Sequence, residues 1–91
     1  MIDEIKLHKQ RVAGVRAAEL LGSETLNEAF RSLNLIYHEA WQNAADAEAR
    51  ERVWHALNGL LVFKTHLEAI VANGNMAQSD IDRLSGRITK I

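Results

Sequence analysis

The sequence predicts an all-α fold: an antiparallel helical hairpin of two long helices, flanked by an N-terminal helix and a short C-terminal helix, in a single domain over residues 1–91. Two apolar stripes carry that expectation. Leu26, Phe30, Leu33, Tyr37, Ala40, Trp41 and Ala44 form the first; Val53, Trp54, Leu57, Leu60, Leu61, Leu67, Ile70 and Val71 form the second. Steps of three and four hold such residues on one side of a 3.6-residue helix. Two such helices in succession bury one face against each other. Composition points the same way, since no proline and only five glycines interrupt the chain. β-Branched residues show no sustained two-residue alternation, which argues against a sheet.

The first helix is expected over about residues 3–21, with Ile5, Val12, Val15, Leu20 and Leu21 as its apolar positions. Gly14 inside it weakens it by about 1 kcal/mol relative to alanine, so this helix needs a partner surface. Gly22-Ser23 is the break. The second helix begins near Ser23 or Thr25, where Thr25-x-x-Glu28 fits a capping box, and runs to about Asn43. Asp46 offers the next N-cap, with Glu48 in the first turn and Asp46/Arg50 and Glu48/Arg52 as i,i+4 pairs. The third helix is expected to end at about Ala72, because Asn73-Gly74 suits a left-handed C-terminal cap. At about 26 residues it would be about 39 Å long, which points to an extended hairpin or to neighbouring copies that cover it. Ser79-x-x-Asp82 is expected to cap a short fourth helix carrying Ile81, Leu84 and Ile88.

A 91-residue domain leaves much of its surface exposed, and oligomerisation is a common remedy. The hydrophobic fraction is 47%, but thirteen of those residues are alanine, which supplies little core volume. A net charge of −1 gives no global field toward nucleic acid or membrane. The absence of cysteine excludes disulfides and thiolate metal sites. No apolar run approaches the roughly 20 residues of a membrane span, and no signal-peptide core is present at the start. A soluble, cytoplasmic product is the expectation.

Several constellations bear on function. Tyr37, Trp41 and Trp54 lie toward the hairpin tip, where large aromatics anchor partners when they are not core. His38-Glu39-Ala40-Trp41-Gln42 lacks the second histidine of the zinc-peptidase helix, because Gln42 stands in its place. Glu51 and His55 stand at i,i+4 without the repeated Glu-x-x-His of di-iron bundles. His8, His38, His55 and His66 share no spacing. Lys6, Lys9, Arg11 and Arg16 with His8 lie in an acid-free stretch over residues 6–18, so they are the candidate phosphate contacts. They spread around the helix, however, and no aromatic interleaves for stacking. Arg87 and Lys90 form a smaller basic pair. The serines lie at caps or on polar faces without a nucleophile elbow, and no phosphate-cradling glycine loop is present. No catalytic residue, metal or cofactor is expected.

The middle of the chain resembles small helical proteins encoded by tailed bacteriophages near their head and packaging genes. The resembling residues are Leu20-Leu21, Leu26-Asn27-Glu28-Ala29-Phe30 and Tyr37-His38-Glu39-Ala40-Trp41, then the stretch from Asp46 to Trp54, and His66-Leu67. They span about half the chain. The opening of the second helix lacks the proline expected in that class. The resemblance implies a small assembly or accessory protein of a virion or its packaging machinery, bound to itself or to a capsid or portal component. The expected function is accordingly non-enzymatic, through burial of an apolar helix face with charged rims setting register. Leu26, Phe30, Leu33, Tyr37, Leu57 and Leu61 are the expected hairpin seam, and Trp41, Val12, Val15 and Leu20 the expected partner-facing residues. The alternatives are a nucleic-acid-binding packaging subunit using Lys6, Lys9, Arg11 and Arg16, and a small inhibitor of a host complex.

Overall fold

The structure, a computed structural model, describes residues 3–89, with side chains described through residue 86. Among the described residues there are three α-helices and no strand: α1 (Glu4–Leu21), α2 (Glu24–Gln42) and α3 (Ala47–Thr89). Packing divides the chain into two units, Met1–Leu21 with Leu67–Ile91, and Gly22–His66. Helix α3 therefore contributes to both.

Local chemistry explains where the helices start. Asp3 accepts a hydrogen bond from the Lys6 N–H at 3.2 Å and opens α1. Ser23 is the N-cap of α2: its backbone is extended and its hydroxyl accepts from the Leu26 N–H at 3.3 Å. The capping box expected at Thr25 and Glu28 is thus displaced, because Thr25 already lies inside the helix. Asn43 closes α2 by donating its N–H to the Glu39 carbonyl at 3.0 Å. Asp46 caps α3 as expected from the sequence, accepting from the Ala49 N–H at 2.8 Å. The Glu48–Arg52 pair forms at 3.8 Å with both side chains exposed, where such pairs add little.

The main departure from expectation is the C-terminal half. Asn73-Gly74 does not stop α3, and there is no separate short C-terminal helix: Ser79, Ile81, Asp82 and Leu84 continue the same helix of 43 residues. Among the described residues no glycine has positive φ, so Gly74 is not a left-handed cap. Within this stretch Gln78 donates to Asp82 at 2.8 Å, and Arg83 pairs with Asp80. The side chains of Ile88, and of Arg87 and Lys90 in the C-terminal basic pair, lie outside the described residues.

Gly74 is buried because it meets Gly14. A Cβ built on Gly74 would lie 2.7 Å from the Gly14 Cα and 3.0 Å from the Gln10 carbonyl oxygen. A Cβ on Gly14 would lie 2.8 Å from the Gly74 Cα and 3.3 Å from the Ile70 carbonyl oxygen. Here α1 and α3 touch backbone to backbone, which only glycine allows. Gly14 was expected only to weaken α1; instead it makes its tightest contact. Ala17 at 3% exposure and Ala77 at 2% continue this seam of small residues. Along α1 the less exposed positions include Leu7, Gln10, Gly14, Ala17 and Leu21, with Arg11 beside them; along α3 they include Leu67, Ile70, Gly74, Ala77, Ile81 and Leu84. Both sets step by three and four, the coiled-coil spacing.

The second unit packs differently. Phe30 is buried, and its ring lies 6.0 Å from that of Phe63, tilted by 49°. Leu26, Tyr37, Val53, Ala56, Leu57 and Leu60 are half-buried in the same unit. Of the expected seam, Leu61 is displaced, since 61% of it is exposed. Leu33 is also exposed, at 36%. The low-exposure spacing on α3 runs through Val53, Ala56 and Leu60, and Leu61 falls one residue off it.

Candidate functional site

What the helices leave outside is more distinctive than what they bury. Among the described residues the buried hydrophobics are Ala17, Phe30, Leu67 and Ala77. Thirteen large apolar side chains are exposed, including Trp41, Trp54, Leu61, Val62, Phe63, Leu35 and Ile36 in the unit Gly22–His66. Exposed apolar side chains mark interaction surfaces where they lie contiguous, and singly they are ordinary.

The expected partner-facing residues fall in different places. Trp41, at 44% exposure, stands at the end of α2, one residue before its last. Val12 lies with Ile5, His8, Lys9, Ala13 and Arg16 along a shallow open depression of about 470 Å³ on α1. Val15 instead lines a narrower groove of about 150 Å³ beside the glycine contact, with Arg11, Ala18, Val71, Asn75 and Gln78. Leu20 is half-exposed near the end of α1. These are several surfaces, not one.

The four candidate phosphate contacts are also separated. Lys9 and Arg16 share the depression with His8, whereas Arg11 is half-buried in the groove at Gly14, and Lys6 is exposed but lines neither. Of the histidines, His55 lies 3.8 Å from Glu51 with both side chains largely exposed, and its ring stands edge-on to Trp54 at 5.3 Å. His66 lines a surface dip with Leu61, Val62 and Thr65. Among the described residues no three of His, Asp and Glu come close enough to hold a metal ion. No helix of the described residues is long and apolar enough to cross a membrane.

The exposed residues that sequence reasoning passed over are Leu35, Ile36, Val62, Phe63 and Met76. All but Phe63 fall off the three-and-four spacing of the seam, and that displacement is the signal that finds them. Phe63 keeps the spacing and its ring pairs with that of Phe30, yet it is 53% exposed. Compared with protein-family models, with curated proteins and with solved structures, the chain matches none.

Proposed function

We propose that this chain is a non-enzymatic interaction protein that works by burying exposed helix faces against other protein surfaces, as an assembly or accessory component of a tailed-phage particle. The observation that carries the reading is the imbalance just described: thirteen large apolar side chains are exposed, and only four hydrophobic residues are buried, among the described residues. A stable interface needs about 800 Å² from each partner, and half-exposed tryptophans and aliphatics are the material for it. The phage setting rests on the resemblance of the central helices alone.

The scaffold in this reading is an antiparallel pairing of α3 with its neighbours. Two features support it. The four-residue connection after α2 returns α3 toward Phe30. The groove beside Gly14 and Gly74 is flanked by Arg11 and Ala18 on α1 and by Val71 and Gln78 on α3. These residues hold the same heptad position on both helices, the flanking position that meets its like only when helices run opposite ways.

Protein contact is a better reading than phosphate contact. Lys9 and Arg16 share a face, but Arg11 does not join them, and two phosphate contacts give a shallow salt dependence. The test is binding of the purified chain to phage head and portal components, with Trp41→Ala beside the wild type. The variant is expected to bind at least about tenfold more weakly with unchanged helical circular dichroism. Unchanged binding together with lost helicity would make Trp41 a packing residue and remove this surface.

A further inference from the structure

We propose that the outer face of α1 docks on the outer face of α2 in a second copy of this chain. This rests on the reading that the helix faces bind protein, and it names the partner for one of them.

On α1, Ile5, Lys9, Val12 and Arg16 stand at i, i+4, i+7 and i+11. At 3.6 residues per turn they fall within about 60° of one another. They line the shallow depression with His8 and Ala13, on the side turned away from Gly14 and Ala17. All four are exposed. Glu19, near the C-terminal end of the stripe, is its one acid. The result is an apolar strip edged by two cations.

On α2 the same spacing carries the opposite charge. Glu28, Leu35 and Glu39 stand at i, i+7 and i+11, with Glu24 one turn earlier and Ser32 between; all are exposed. Arg31 lies at the edge of this strip. Phe30 faces away from it, toward Phe63. Here an apolar centre is edged by anions.

The two faces are complementary in charge and matched in pitch. Across its length α1 carries four Lys/Arg against two acids, and α2 one against three. Pairing α1 with α1, or α2 with α2, sets like charges opposite each other and is disfavoured. Both strips are exposed within the chain itself, so each is open to another molecule.

The test is analytical ultracentrifugation of the full chain at low and high salt, for the wild type and two charge-reversed variants. One variant carries Lys9→Glu and Arg16→Glu, the other Glu28→Lys and Glu39→Lys. The wild type is expected to associate at low salt and to loosen as salt rises. Each variant alone has two like-charged faces and is expected to associate at least about tenfold more weakly. Mixing the two variants juxtaposes opposite charges again and is expected to restore association. All four positions are exposed, so helical circular dichroism is expected to be unchanged; if it fell, the milder Lys9→Gln with Arg16→Gln carries the test. A wild type that stays monomeric overturns the contact while leaving the Trp41 surface to its own test. So do variants that associate like the wild type. A mixture that stays apart also overturns it.

Discussion

Along one helix, α3 meets its two neighbours by opposite means. In the unit holding α1, Gly74 touches Gly14 through bare backbone, with Ala17 and Ala77 completing the seam. In the unit Gly22–His66, Phe63 meets Phe30 ring against ring. The first kind of contact buries little apolar area per residue and depends on closeness, since dispersion falls steeply over the first ångström of separation. The second depends on area, at roughly 25 cal/mol per Å² buried. Closeness makes the glycine seam intolerant of any added atom. Area makes the aromatic seam intolerant of loss, and elsewhere in the same unit Leu33, Leu35, Ile36, Trp41, Trp54, Leu61 and Val62 are exposed. The glycine seam is the better candidate for a scaffold, while among the described residues exposed large apolar side chains occur in both units, eight in Gly22–His66 and five in the other.

That contrast can be broken or sharpened by substitution. The largest effect is expected at Phe30, the one large aromatic that is buried. Phe30→Ala is expected to destabilise by about 3–5 kcal/mol, through lost transfer energy and a cavity, as read from denaturant unfolding. A cost below about 1 kcal/mol would mean that the ring contact contributes no more than a surface feature. The smallest effect is expected at Leu61, which the stripe places beside Leu57 but the structure leaves exposed. Leu61→Ala is expected to change stability by less than about 0.5 kcal/mol. A loss of 2 kcal/mol or more, the range of about 2–5 kcal/mol seen for buried leucines, would return Leu61 to the seam.

Much of the fold is legible in the sequence where the chemistry is local. Asp46 reads as an N-cap because a short carboxylate before a helical stripe satisfies free N–H groups, and it does so at Ala49. The start of α2 at Ser23 is legible for the same reason, its hydroxyl accepting from the Leu26 N–H. The continuation of α3 was not, because Asn73-Gly74 carries two meanings. Glycine ends a helix when the chain must turn left-handed, and it sits within a helix when another backbone must come close. A single residue does not distinguish these. The pattern around it does: Leu67, Ile70, Gly74, Ala77, Ile81 and Leu84 keep the steps of three and four straight through the glycine. Gly14 is the same case on α1, framed by Leu7, Gln10, Ala17 and Leu21. The interaction surface was legible only in outline. Trp41 stood out by size, but Leu35 and Val62 differ from core residues only in register, and a one-residue error in register moves a side chain about 100° around the helix.

The most direct test compares one substitution at two glycines of α3, Gly74→Ala and Gly59→Ala, by the change in unfolding free energy in denaturant. Alanine favours a helix interior over glycine by up to about 1 kcal/mol, and a Cβ on Gly59 meets nothing within 4 Å. Gly59→Ala is therefore expected to stabilise by about 0.5–1 kcal/mol. At Gly74 the added methyl would strike the Gly14 backbone, and Gly74→Ala is expected to destabilise by about 1–3 kcal/mol despite the same helix preference. Opposite signs are the predicted result. Stabilisation of similar size at both positions would contradict the close contact of α1 and α3, and with it the account of how this chain is held together.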